Sequence, residues 1–103
     1  MHDLIRATYD LHARFGSSQS PETAHTIFLE ELREFFEAAH SGDMQHAAEE
    51  LNDMITTAIG MGIAIGLTED DVRAGEAVVI DKNDGKTQET HYLCPDTGKI
   101  RRK

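Results

Sequence analysis

Two acidic clusters, Glu30-Glu31-Leu32-Arg33-Glu34 and Glu49-Glu50-Leu51-Asn52-Asp53, stand inside strongly helical, otherwise apolar stretches. Glu31 and Glu34 are three residues apart, as are Glu50 and Asp53, so each pair projects from one side of its helix. Packed together, two such helices bring four carboxylates into one small volume. Like charges crowded into a partly dry site cannot all stay ionised, and a divalent cation removes the conflict. All-oxygen ligation selects a hard cation, so Mg²⁺ or Mn²⁺ suits the set better than zinc.

The placement of these carboxylates on their helices carries the case. On a 100°-per-residue wheel, Ile27, Phe28, Leu32, Phe35, Phe36, Ala38 and Ala39 draw the apolar arc of the first acidic helix. Glu31 falls inside that arc and Glu34 on its border, whereas Glu30 and Arg33 turn toward solvent. In the next helix the arc is Met44, Ala47, Ala48, Leu51, Met54, Ile55 and Ala58, with Glu50 on its border and Asp53 further out on the same flank. An ionised carboxylate among Phe and Ile needs a partner, and Arg33 is the only Arg or Lys in the two helices. Metal ligation by Glu31, Glu34, Glu50 and Asp53 is therefore favoured over ordinary solvated faces, which remain the reading for Glu30, Glu37 and Glu49.

A di-iron carboxylate centre is a second candidate, because Glu22-x-x-His25 and Glu37-x-x-His40 each match its local signature. Both copies lie on one helix, about 22 Å apart along its axis, and cannot share a centre within one subunit. The histidines His2, His12, His46 and His91 are expected at the surface. Cys94, the single cysteine, is expected to be an incidental thiol rather than a nucleophile.

The elements that must position these groups are legible from periodicity and caps. A first helix is expected over Leu4–Phe15, stopped by Gly16. After a polar loop from Ser17 to Pro21, Ser20 caps a second helix that runs to His40. Asp43 caps a third, carrying the second acidic cluster and continuing to Gly66. Gly60, Gly62 and Gly66 each cost about 1 kcal/mol in a helix, which predicts close approach of another backbone or a subunit interface. Thr68 and Asp71 form a capping box for a fourth helix from Glu69 to about Lys82, and Asn83-Asp84-Gly85 breaks it. Thr90–Cys94 and Lys99–Arg102 flank Pro95-Asp96-Thr97-Gly98, a turn sequence that predicts a small hairpin.

With 103 residues the chain is one modest domain, and oligomerisation would enlarge its core. Its formal net charge of −9 argues against a general nucleic-acid or anionic-membrane binder. It does not exclude a phosphorylated ligand bridged by metal ions. The lone cysteine fits a reducing compartment. The start Met1-His2-Asp3 lacks a signal-peptide pattern, so cytoplasmic residence is expected. The most apolar stretch, Met54–Leu67, is too short for the roughly 20 residues that span a bilayer.

The pattern EExxE followed by ExxD, here Glu30, Glu31, Glu34 and then Glu50, Asp53, resembles the all-α nucleoside triphosphate pyrophosphatases of the MazG-like superfamily. Lys82-Asn83-Asp84-Gly85-Lys86 is similar to the KNxxK segment that some of these enzymes carry. The resemblance covers roughly residues 4–86. It implies an all-α, four-helix bundle, oligomeric, with residues 87–103 as a hairpin tail. It further implies Mg²⁺-dependent hydrolysis of nucleoside triphosphates between the α and β phosphates. Glu31, Glu34, Glu50 and Asp53 would then hold the metal, Glu30 would assist a second ion or orient water alongside Glu31, and Lys82, Asn83 and Lys86 would grip the phosphates.

The competing use of Lys82 and Lys86 is to complement the dipole at a helix C-terminus. The KVGEE-like stretch usual in the phosphoribosyl-ATP pyrophosphatase branch is not found at the first motif, which ranks histidine biosynthesis second. Tyr9, His12 and Phe15 could stack on a base, but at helical spacing they read more simply as core. The expectation is thus a homodimer or homotetramer that hydrolyses (deoxy)nucleoside triphosphates in a housecleaning or pool-balancing role. Its rival from another class is a non-catalytic helical dimerisation module.

Overall fold

The structure is a computed structural model that describes residues 1–16 and 19–103. It contains four helices, α1 (Leu4–Phe15), α2 (Pro21–Ala39), α3 (Met44–Ala64) and α4 (Glu69–Asp84), followed by strands β1 (His91–Leu93) and β2 (Ile100–Arg102). The all-α architecture with a terminal hairpin is the one the periodicity predicts. Ser17 and Ser18, expected in the first loop, lie outside the described residues.

Each helix start is fixed by a side chain that satisfies an otherwise orphaned N–H. Asp3 accepts from the Arg6 N–H at 3.0 Å, Ser20 from that of Thr23 at 3.1 Å, and Asp43 from that of His46 at 3.1 Å. Thr68 and Asp71 cap α4 reciprocally, each backbone N–H donating to the other's side chain, at 2.9 and 3.1 Å. Gly16 ends α1 in the left-handed region with φ 58°.

Three ends differ slightly from expectation. Helix α2 stops at Ala39 with His40 as its cap. Helix α3 stops at Ala64, because Gly66 turns left-handed at φ 96° and lets the Leu67 N–H return to the Gly62 carbonyl at 3.0 Å. Helix α4 runs on to Asp84, two residues past Lys82, since Asn83 and Asp84 remain helical and only Gly85 departs.

The chain forms two compact units, residues 1–72 and 73–103. The boundary at residue 86 drawn from the sequence marks where the motifs end, which is a different division.

In the first unit, α2 and α3 pair along their lengths and α1 packs on α3. The link Ser41-Gly42-Asp43 leaves the chain no room except to turn back, so α2 and α3 form a helical hairpin. The Tyr9 hydroxyl donates to the Leu67 carbonyl at 2.7 Å. Arg6 grips Glu69 with Nε and Nη2, both at 2.9 Å at closest. These contacts tie α1 to the chain that leads into α4. Burial is sparse: among the described residues only Ile5, Ala24 and Ala38 are buried apolar side chains, with Thr8 bonded to the Leu4 carbonyl beside them.

In the second unit β1 and β2 pair antiparallel, His91 opposite Arg102, Tyr92 opposite Arg101, and Leu93 opposite Ile100. The turn between them closes through Gly98 N–H to the Cys94 carbonyl and Cys94 N–H to the Lys99 carbonyl, both 2.8 Å. Gly98 has φ 73°, a conformation that only glycine adopts without strain.

Candidate active site

The α2–α3 hairpin brings the two acidic clusters face to face. Carboxylate oxygens of Glu31, Glu50 and Asp53 all lie within 4.8 Å of one another. Glu31 and Glu50 are half-buried, and Asp53 sits at the exposed edge. Glu34, at the fourth predicted position, is exposed and hydrogen-bonds to Glu31 instead of joining the trio. Glu30 lies in solvent, one residue off the face that carries Glu31.

Electrostatics mark the cluster as one that wants a cation. Burial raises the Glu31 carboxyl above the usual carboxylate range, and the charge of Glu34, the hydrogen bond with Glu34, and the charges of Asp53 and Glu50 raise it further. Oε2 of Glu31 and Oε2 of Glu50 are buried, and neither has a hydrogen-bond partner. A buried, unpaired carboxylate oxygen costs several kcal/mol of lost hydration in principle. Two of them, on residues of the same acidic cluster, fit a hard divalent ion, whose oxygen-ligand chemistry matches this donor set. The aspartate and glutamates of the trio would hold it, with Glu34 steadying Glu31 from outside.

The histidines expected at the surface divide: His2 and His46 are exposed, whereas His12 and His91 are half-buried. His46, expected at the surface, is exposed but places Nε2 3.9 Å from Glu50 Oε1, one helical turn away. His12 is half-buried, with Nδ1 unpaired and its ring against Gly60 of α3. The close approach predicted at Gly60 is thus made by a side chain of α1; a Cβ at Gly60 would meet His12 Nε2 at 3.6 Å. At Gly62 the neighbour is Leu67 of the following turn, 3.2 Å away. Tyr9 is engaged through its hydroxyl, and Phe15 is 77 % exposed rather than core. The di-iron signatures stay apart: His40 Nδ1 is bonded to the Phe36 carbonyl at 2.7 Å, and His25 is exposed.

The predicted phosphate-binding residues belong to the second unit. Lys82 and Asn83 lie in the last turn of α4, and Lys86 follows Gly85. Lys86 Nζ donates to Asn83 Oδ1 at 3.5 Å, so the two polar heads converge. Asn83 and Lys86 line an open cleft of about 590 Å3 together with His91, Tyr92, Leu93 and Ile100; Lys82 does not line it.

The sequence model of the phosphoribosyl-ATP pyrophosphohydrolase family matches residues 8–75. The chain belongs to this family. The family falls within the MazG-like all-α pyrophosphatase superfamily, whose carboxylate motif residues 30–53 resemble. The matched span includes both acidic clusters and ends before the KNDGK segment and the hairpin. Neither a curated protein nor a solved structure matches the chain. The family is one of pyrophosphohydrolases, hydrolases of acid anhydrides. Its match also revises the ranking drawn from the missing KVGEE-like stretch: the phosphoribosyl-ATP activity is at least as well supported as general triphosphate hydrolysis. One short stretch is a weaker discriminator than a pattern spread over three helices. No helix among the described residues is long and apolar enough to cross a membrane.

Proposed function

We propose that the chain is a Mg²⁺-dependent pyrophosphohydrolase that cleaves the α–β anhydride of a nucleoside triphosphate group, releasing pyrophosphate. The observation that carries this is the trio Glu31, Glu50 and Asp53 with its two buried, unpartnered oxygens. A bound Mg²⁺, or Mn²⁺ in its place, would neutralise the polyphosphate and lower the pKa of a water ligand.

The chain's own residues do the rest. Glu31 and Glu50 hold the charge in a half-buried setting where electrostatic interactions are strong. A hydrogen bond links Glu31 to Glu34, and His46 Nε2 lies 3.9 Å from Glu50 Oε1. Glu30, exposed beside Glu31 in sequence, would assist a second ion or orient water. Within the second unit, Lys82, Asn83 and Lys86 carry the ammonium charge and amide donor that the resemblance assigns to phosphate binding.

Two substrates are in play. Family membership favours phosphoribosyl-ATP, and the KNDGK segment beyond the matched span favours (deoxy)nucleoside triphosphates such as dUTP or dCTP in nucleotide-pool control. Pyrophosphate release measured on phosphoribosyl-ATP, ATP, dUTP and dCTP with Mg²⁺ decides between them. No release from any of the four sinks the proposal.

The protein works as a homodimer or homotetramer in this reading. Leu29, Phe36, Met44 and Ile55 on the α2–α3 hairpin are between 38 and 67 % exposed, apolar surface that a second subunit would cover. Sedimentation of the intact chain tests it. The same face is what a non-catalytic dimerisation module would offer, but such a module has no use for buried, unpaired carboxylates. It predicts no Mg²⁺-dependent rise in melting temperature.

A further inference from the structure

The hairpin lies wholly outside the span that matches the family, and yet its strands line half of the cleft. Across the antiparallel pair, side chains alternate faces, so His91 and Leu93 share one face with their opposite residues Arg102 and Ile100. Leu93 and Ile100 give that face an apolar floor, and the His91 ring stands next to it. From the other side, Lys86 and Asn83 contribute an ammonium and a carboxamide. An apolar floor, the rings of His91 and Tyr92, one cation and one amide able both to donate and to accept are the complement of a planar heterocycle that carries a phosphate.

The cleft is also braced. The Thr87 N–H donates to Thr90 Oγ1 at 3.2 Å, the Thr90 N–H returns to the Thr87 carbonyl at 3.1 Å, and the His91 N–H donates to the same carbonyl at 2.8 Å. Thr90 Oγ1 lies 2.7 Å from His91 Nδ1, a hydrogen bond that holds the imidazole. At about 590 Å3 the volume is that of a small-molecule site.

Charge agrees. Residues 73–103 hold seven Lys or Arg against five Asp or Glu, whereas residues 1–72 hold three against fourteen. All four lysines of the chain lie between Lys82 and Lys103. An anion approaching this protein is attracted to the second unit and repelled by the first.

We propose that the cleft of residues 83–100 binds a nucleoside phosphate, with the base over Leu93 and Ile100 beside His91, and a phosphate at Lys86. The class of ligand rests on the nucleotide reading of the family, while the site itself is complete within the second unit. The hairpin is then a recognition element that the family's helical core does not supply.

The test reads binding apart from catalysis. AMP, adenosine and inorganic pyrophosphate are titrated in EDTA into the intact chain and into Glu50→Gln, followed by 1H–15N NMR. The expected result is that AMP shifts amides of residues 83–102 equally in both proteins, and that adenosine and pyrophosphate bind at least ten-fold more weakly. Lys86→Ala and His91→Ala should each weaken AMP at least ten-fold, with spectra outside the cleft unchanged. In steady-state assays, a rise in KM with kcat retained in His91→Ala identifies the occupant as substrate; an unchanged KM with AMP binding lost identifies it as an effector. Absence of AMP shifts in residues 83–102, equal affinity for pyrophosphate, or AMP affinity unchanged in both variants overturns the proposal. An inactive enzyme that still binds AMP in the cleft would instead count against the catalytic reading alone.

Discussion

Glu31 of α2 and Glu50 of α3 approach within 4.8 Å across the helical hairpin, and each keeps one carboxylate oxygen buried with no hydrogen-bond partner. Two acids in that relationship oppose folding unless protons or a cation intervene. The linkage has a definite sign: the folded Glu31 carboxyl titrates above its unfolded value, so its ionisation is uphill in the native state. The metal-free protein loses stability as pH rises from the ordinary glutamate range through the raised value, and keeps it below. Glu31→Gln should therefore raise the melting temperature in EDTA at neutral pH. The same substitution should abolish the gain from Mg²⁺, which for the native sequence is about 2.7 kcal/mol at 100-fold excess over Kd. Calorimetry with and without Mg²⁺ reads both; a variant destabilised in EDTA refutes the repulsion.

Glu34 and Asp53 differ in what they touch, and their variants should differ too. Asp53 shares the oxygen cluster, whereas Glu34 bonds to Glu31 from outside it. Glu34→Gln retains a group able to hydrogen-bond Glu31 and should lose about 10- to 100-fold in activity, the usual cost of disturbing a ligand's support. Asp53→Asn should lose more, and its Mg²⁺ requirement should move to higher concentration. Pyrophosphate release over a Mg²⁺ series checks this, and full activity in both variants would exclude the mechanism.

Local chemistry made the helices legible. Ser20, Asp43 and the Thr68–Asp71 pair announce their caps within three residues, and the structure realises each one. The placement of Glu31 inside an apolar arc was equally visible, because a wheel needs only spacing. What spacing cannot give is how far a partner helix covers an arc. Phe36 belongs to the arc and is still 56 % exposed, while the buried positions of α2 are the small Ala24 and Ala38. Nor does spacing reveal contacts between distant segments. The Arg6–Glu69 ion pair joins residues 63 apart, and His12 on Gly60 joins α1 to α3. His91 looked like a surface residue because its neighbours in the cleft come from the end of α4 and from β2.

Cys94 is a lone thiol whose setting is unusual. The Thr97 hydroxyl, the Thr97 and Asp96 backbone N–H groups and the Arg101 side chain lower its pKa to about 7. The thiolate is the reactive form, so alkylation by iodoacetamide should rise through a midpoint near pH 7 and level off above it. Thr97→Val removes the largest contributor and should move the midpoint upward. Mass spectrometry of the alkylated chain at a series of pH values measures both, and a native midpoint in the ordinary thiol range would contradict the turn geometry.

Gly60 inside α3 and Gly66 just after it make opposite predictions. At Gly60 a Cβ would meet His12 Nε2 at 3.6 Å, an ordinary contact, and the backbone is helical. Gly60→Ala should therefore recover helix propensity and stabilise by about 0.5–1 kcal/mol. Gly66 meets nothing within 4 Å, but its φ of 96° is strained for any residue with a Cβ. Gly66→Ala should destabilise by roughly 1 kcal/mol or more and loosen the return of the Leu67 N–H to Gly62. Since Leu67 also receives the Tyr9 hydroxyl, that loosening should reach α1. Thermal melts of the two variants give the signs, and amide exchange at Leu67 reports the turn. A stabilised Gly66→Ala would show that the chain leaves α3 by another path.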